Sequence, residues 1–427
     1  MIKRLLPSSD LFKNISTLVI GTFAAQLIAV LLQGVLRRMY PVEDFGVYDV
    51  FISITGILMV VASLRYEMAV VLPKKKEDAV NLVFTGLFSS FSFNLVVLLL
   101  IYFFEGSILR FLNLEPHHRF MLYYLPASIF LFSTYQVFNY YLVRHKAYRD
   151  ISVNKISRRI SEGGGQVLFA LAGKFNTGLI WGNILGHLVN IVAGWIQMLR
   201  NGFSVKSFSI RRQWYLAGKY KEFPIYNMLP ALLNAICMHL PLLLINKFYD
   251  PETTAHFGLA KHVLVLPASI LTVSISQVLL QSISEKCRAK ESFISDLNRI
   301  LVLLGVMAAV MTLLFILWAP KLFALYAGQE YYISGVYARI IVAGAALKLI
   351  VAPVSSLFIP LNKIKVYSLW QAVYFLMISS LFLMSHLQIQ TFLYAYLIID
   401  VIAYSALLVI ILFLSHNYEK SINQQRN

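Results

Sequence analysis

The sequence predicts an all-α integral membrane protein of twelve transmembrane helices in two parallel-repeat six-helix bundles. Composition, the length of the apolar runs and the placement of basic residues carry this reading. Of 427 residues, 59% are hydrophobic and 13% charged, with a mean hydropathy of +0.70. A soluble domain carries about 25% charged residues, so most of this surface faces something other than water. Backbone groups in hydrocarbon must be satisfied internally, which leaves helices or a closed barrel. Barrel strands alternate over about 10 residues. Here the apolar runs are about 20 residues long with no period of two, the length of a spanning helix.

These runs fall at 17–36, 46–72, 81–104, 120–142, 157–174, 178–199, 224–246, 255–281, 297–319, 334–360, 366–386 and 390–414. The basic segment Met1–Asn14 precedes the first. Thr17–Leu36 is too long for a signal-peptide core and lacks a small-residue cleavage site, so it reads as a span. The fifth run is the least apolar, with Arg158, Arg159, Glu162 and the triplet Gly163-Gly164-Gly165. Glycines allow membrane helices to pack closely, so it stays in the map.

Charge tests the map independently. Numbered from a cytoplasmic amino terminus, the inner segments gather most of the lysines and arginines, including Lys74-Lys75-Lys76, Arg144 to Arg159, and Arg200 to Lys221. The outer loops hold far fewer: Arg37, Arg38, Arg110, Arg119, Lys174, Lys247 and Lys321. This is the positive-inside pattern of an inner-membrane protein with both termini in the cytoplasm. It reads as a signature of insertion, not of nucleic-acid binding. The loops are too short for a soluble catalytic or nucleotide-binding domain. There is no Gly-x-x-x-x-Gly-Lys loop, no His-Glu-x-x-His and no cluster of acids of the metal-ligand type. No cofactor or metal is expected. Cys237 and Cys287 form no disulfide framework.

The halves repeat at an offset near 213 residues. Met39-Tyr-Pro-Val-Glu-Asp-Phe-Gly-Val-Tyr-Asp49 corresponds to Phe248-Tyr-Asp-Pro-Glu-Thr-Thr-Ala-His-Phe-Gly-Leu-Ala-Lys261. Leu109-Arg-Phe-Leu112 corresponds to Leu322-Phe-Ala-Leu325, and His145-Lys146-Ala-Tyr148 to Ile364-Lys365-Val-Tyr367. Six spans per half give both halves one orientation, the plan of transporters whose bundles rock about a central site. The expected divisions are 1–199, a basic linker at 200–223, and 224–427.

The runs Tyr40-Pro-Val-Glu-Asp-Phe-Gly-Val-Tyr48 and Ser63-Leu-Arg-Tyr-Glu-Met-Ala-Val-Val-Leu-Pro73, followed by charged residues and Ala79-Val80-Asn81-Leu82, resemble the polysaccharide-export branch of the MATE-like flippase superfamily. The resemblance spans the chain in topology and is sharpest over residues 10–150. It implies two bundles forming a V around a central cavity that opens alternately to each side. It also implies an undecaprenyl-diphosphate-linked oligosaccharide as cargo, flipped from the cytoplasmic to the periplasmic leaflet for O-antigen or related surface polysaccharide. The implied surroundings are the lipid bilayer, a polysaccharide polymerase and a chain-length regulator.

Charges inside the bilayer cost about 2.5–3.5 kcal/mol each and mark wet cavities or paired partners. Arg65 and Glu67, in Leu64-Arg-Tyr-Glu67 on a helix expected to run from Gly46 to Leu72, read either as a cavity-wall cation for the diphosphate or as a positive-inside anchor. A guanidinium suits phosphate because its fork donates two parallel hydrogen bonds. Asp49 and Lys261 hold matching repeat positions, as a gate across the outer mouth or as separate interfacial charges. Asp400, at mid-span, reads as a site for a coupling H+ or Na+ or as a buried hydrogen-bonding partner. His187, its repeat equivalent, reads as a packed core histidine. Lys348 and Arg339, nine residues apart, point to opposite helix faces. Lys348 is the cavity candidate, and Arg339 snorkels to the outer interface. Arg37 and Arg38 read as lining the outer mouth to receive an anionic glycan or, the preferred reading, as pairing with Glu43 and Asp44. Pro224, Pro230 and Pro241 predict that span seven is bent or broken and changes shape during transport. A multidrug or cation antiporter of the same superfamily and a membrane polysaccharide polymerase are the alternatives. The first needs an acid-dominated cavity and the second a sizeable outer loop.

Overall fold

The computed structural model describes residues 9–426; residues 1–8 of the basic amino-terminal segment lie outside it. The helices are α1 (Ser9–Leu36), α2 (Val42–Ala62), α3 (Tyr66–Ala69), α4 (Lys76–Leu112), α5 (Arg119–Arg144), α6 (Tyr148–Leu171), α7 (Phe175–Arg200), α8 (Ile210–Lys219), α9 (Met228–Phe248), α10 (Pro251–Ala289), α11 (Ile294–Ala327), α12 (Tyr332–Val354), α13 (Ile364–Ser379) and α14 (Ile389–Arg426). Every apolar run read from the sequence falls on one or more of them. Among the described residues, nine segments are long and apolar enough to cross a membrane. The runs on α5 and α6 are long enough but carry more polar residues.

The chain forms two compact units, Met1–His239 with Asp250–Glu252, and Leu240–Tyr249 with Thr253–Asn427. In the first, α6 packs on α7 and α1, and α5 on α4 and α7. Glycine sets the α6–α7 spacing: a Cβ on Gly182 would sit 2.3 Å from Gln166 Cγ, and one on Gly186 2.8 Å from Glu162 Cβ. In the second, α11 packs on α12, and α14 on both α12 and α13.

Two elements differ from the sequence reading. The helix expected from Gly46 to Leu72 stops at Ala62, and Leu64 and Arg65 turn into the left-handed region at φ 50° and 62°. Neither is glycine, so composition does not announce the break. The stretch expected as a linker carries α8, docked on the start of α4. Asn81 Nδ2 donates to the Ser207 carbonyl and Asn81 Oδ1 accepts from Ser209 N, both at 2.8 Å. Tyr66 Oη donates to the Ala217 carbonyl at 3.1 Å, and Leu216 is buried in the unit's core.

Span seven is irregular at its entrance, not its middle. A π-helical turn, Phe223–Asn227, holds Pro224, and α9 then runs unbroken through Pro241. Pro230, which brings no backbone N–H, follows this turn directly, two residues into α9.

Candidate functional site

The second unit gathers three residues that the sequence treats separately. Gly344 lets α12 approach α14: a Cβ there would lie 3.0 Å from Asp400 Cβ. Lys348 Nζ, on α12, meets Asp400 Oδ2, on α14, at 2.6 Å. It also donates to Tyr396 Oη at 3.2 Å and lies over the Tyr396 and Tyr404 rings at 5.3 and 5.2 Å. Tyr374 Oη, on α13, donates to Asp400 Oδ1 at 2.8 Å. Trp370 backs this face, stacked on Tyr374 with ring centroids 5.4 Å apart and donating to the Ala403 carbonyl at 2.8 Å. Lys261, on α10, completes the group. With Lys348, Tyr396 and Asp400 it lines a cavity of about 20 Å³, room for one water molecule. Two ammonium groups against one carboxylate give this interior a formal charge of +1.

Arg339, nine residues before Lys348, is exposed and donates to the Leu317 carbonyl at 3.0 Å. The helical phase separates the two as expected.

In the first unit, Arg65 and Glu67 lie together at the α2–α3 break. Arg65 Nη1 pairs with Glu67 Oε1 at 3.5 Å, and Ser63 Oγ donates to Glu67 Oε2 at 2.5 Å. Glu67 is 3% exposed, and Arg65 Nε is buried without a hydrogen-bond partner. A left-handed residue other than glycine costs about 1–2 kcal/mol, so the fold holds this guanidinium in place against local preference.

Asp49 pairs with Arg37 Nη2 at 3.3 Å, and the Arg37 guanidinium stacks on Phe45 at 4.2 Å. Arg37 thus takes an acid one turn and more beyond the Glu43 and Asp44 expected for it.

The fifth run holds a network that sequence reasoning treated only as a weakness. Glu162, 6% exposed, meets Arg159 Nη1 at 3.1 Å and Arg158 Nη2 at 3.7 Å. Its Oε1 accepts from Tyr48 Oη at 3.2 Å and from Asn183 Nδ2 at 2.9 Å. His187 is a buried core histidine against Phe132, with Arg158 Nη2 3.4 Å from its Nε2. The signal was present: Arg158, Arg159 and Glu162 stand at i, i+1 and i+4, so both bases reach one acid. Tyr48, Asn183 and Gln166 join it only in three dimensions.

The chain shares its fold with solved structures of MATE-like transporters and flippases. Lipid II flippase MurJ in an inward closed conformation superposes with a TM-score of 0.73 at 14% identity, covering 95% of this chain and 91% of that one. A multidrug resistance MATE family transporter of the MOP superfamily, inward-facing, gives 0.68 at 11% identity, covering 95% and 99%. A MOP superfamily transporter from Pyrococcus furiosus, described by the reverse polarity of its binding pocket, gives 0.65 at 13% identity, covering 95% and 96%. No curated protein matches in sequence. Residues 35–334 match the family model described as polysaccharide biosynthesis protein, and the chain belongs to that family.

Proposed function

We propose that this chain is a flippase that carries undecaprenyl-diphosphate-linked oligosaccharide repeat units from the cytoplasmic to the periplasmic leaflet of the cell inner membrane. Both termini lie in the cytoplasm, and residues 1–199 and 224–427 are the two moving halves of an alternating-access cycle. Membership of the polysaccharide biosynthesis family over residues 35–334 carries the reading. Charge supports it: Lys261 and Lys348 stand against one carboxylate, as an anionic diphosphate needs and a cationic drug does not. The family name and the excess of base both weigh against the multidrug antiporter.

In this reading Arg65, Lys261 and Lys348 take the diphosphate in turn, with Glu67 setting the orientation of Arg65. Asp400 is the coupling group. Lys348 and Tyr374 hold its two oxygens here, and the coupling ion, H+ or Na+, displaces one of them. Asp49 and Lys261 act at the outer gate when Asp49 leaves Arg37. The product passes to a polymerase and a chain-length regulator. The cycle makes and breaks no covalent bond of the cargo.

Deleting the gene tests this. Lipid-linked repeat units should accumulate on the inner leaflet while surface polymer is lost, and plasmid-borne wild-type chain should restore the polymer. Normal surface polymer after deletion, in a cell with no second flippase gene, overturns the reading.

A further inference from the structure

We infer that Glu43, His117 and His118 form a binding site for a divalent transition-metal ion of the zinc class, at the end of the first unit that the charge pattern places outside. Their ligand atoms all lie within 4.8 Å of one another. They come from two places in the chain: Glu43 from the first turn of α2, and the histidines from the 3-10 turn Pro116–His118 that leads into α5. An imidazole pair with a carboxylate is a donor set that suits zinc and its neighbours. A tetrahedral zinc ion with bonds of about 2.0–2.1 Å sets its ligand atoms roughly 3.3 Å apart. The exposed Glu43 and His117 side chains need to move only about an ångström to meet that geometry.

Independent observations point the same way. His118 is 2% exposed, yet its Nδ1 is buried with no hydrogen-bond partner. A buried polar nitrogen left bare costs about 1–3 kcal/mol, so its retention calls for a ligand. His117 Nδ1 lies 3.1 Å from Glu115 Oε2. A carboxylate on one ring nitrogen fixes the tautomer and leaves the other nitrogen for a metal. The two rings are 3.8 Å apart by centroid, so both imidazoles present to one place. Asp44, within electrostatic reach of His117, carries a buried Oδ2 without a partner, a further acceptor for a water on the ion. A bound ion would tie the start of α2 to the α4–α5 connection.

The test uses the full chain in lipid nanodiscs, with any affinity tag removed and metals stripped by EDTA. Zinc is titrated against a fluorescent chelator, and Co2+ is added separately as a spectroscopic probe. The wild type should bind one Zn2+ per chain at micromolar concentration or tighter, and Co2+ should give the strong visible absorption of a tetrahedral site. His117→Ala and Glu43→Gln should each weaken zinc binding at least tenfold and lose the cobalt band. His416→Ala, remote in sequence, should change neither. His117 and Glu43 are exposed, so both variants should elute like the wild type. Glu43→Gln is the more conservative and decides the matter should His117→Ala aggregate. No zinc binding by the wild type, or unchanged affinity in both variants, overturns the inference.

Discussion

Asp400→Asn removes one charge from the interior of the second unit and leaves Lys348 and Lys261 facing the same small cavity. At 2.6 Å the Lys348–Asp400 attraction is about 6 kcal/mol gross at an effective dielectric constant of about 20, and desolvation of both ions offsets most of it. The loss on breaking the pair is larger than its net value, because the surviving ammonium stays buried without its counter-charge. Removing one partner of a buried pair costs about 3–5 kcal/mol. Lys348→Met should cost a similar amount, since it strands Asp400. Replacing both, Lys348→Met with Asp400→Leu, should fall within about 1 kcal/mol of the wild type or exceed its stability, as buried pairs swapped for apolar side chains often do. The coupling energy from the double-mutant cycle should therefore be at least about 3 kcal/mol. Reversible unfolding in mixed micelles at rising SDS fraction measures it by tryptophan fluorescence. Trp370, stacked on Tyr374, reports on this face directly. A loss below about 1 kcal/mol for Asp400→Asn, or a double variant whose loss equals the sum of the singles, would refute the picture of a closed, mutually dependent charge cluster.

Further outcomes follow from the same reasoning. Tyr374→Phe removes the donor to Asp400 Oδ1 and should cost about 1.5–3 kcal/mol, the range for a hydrogen bond to a charged group, in the same unfolding assay. Glu162→Gln strands Arg158 and Arg159 among buried neighbours and should cost about 3–5 kcal/mol. Arg212→Ala breaks the pair with Asp78 at 2.7 Å, where the Arg212 side chain is 41% exposed, and should cost under about 1 kcal/mol; equal losses in these two variants would contradict the burial argument. Gly182→Ala drives a methyl group into Gln166 Cγ and within 2.8 Å of the Gln166 N and Glu162 carbonyl of α6. It should cost about 1–3 kcal/mol and lower the yield of folded chain recovered by size exclusion.

The helices were legible because the bilayer imposes one rule on every span: about 20 apolar residues between polar ends. That rule is one-dimensional and survives in the sequence, as do the positive-inside asymmetry and the repeat. The break at Ser63–Arg65 left no trace, since its left-handed residues are leucine and arginine where glycine or asparagine would be the usual mark. Helical phase separated Lys348 from Arg339 correctly, but phase names a face and not a partner. The pairing of Lys348 with Asp400 depends on α12 meeting α14 at Gly344, and that of Arg37 with Asp49 on the turn at Tyr40–Pro41. The Glu162 network was hidden by the feature that makes it notable. Polar residues in a span lower its hydropathy, so a reading tuned to apolar runs treats a charge cluster as a flaw in the span. Composition marked residues 200–223 as a basic linker and gave no sign of the helix it carries. Asn81 Nδ2 donating to the Ser207 carbonyl and Ser209 N donating to Asn81 Oδ1 dock the segment that leads into α8 on α4.

The central claim is that this chain moves an anionic lipid-linked sugar between leaflets and uses the lysines of its second unit to do so. Reconstitution in proteoliposomes tests it most directly, with a fluorescent undecaprenyl-diphosphate-linked oligosaccharide and a membrane-impermeant quencher reporting which leaflet holds the probe. Wild-type chain should carry the probe between leaflets far faster than protein-free vesicles, and Lys261→Met, alone or with the stability-neutral pair Lys348→Met and Asp400→Leu, should bring the rate down to background in folded protein. Transfer no faster than in empty vesicles, or undiminished transfer by the triple variant, would contradict the account.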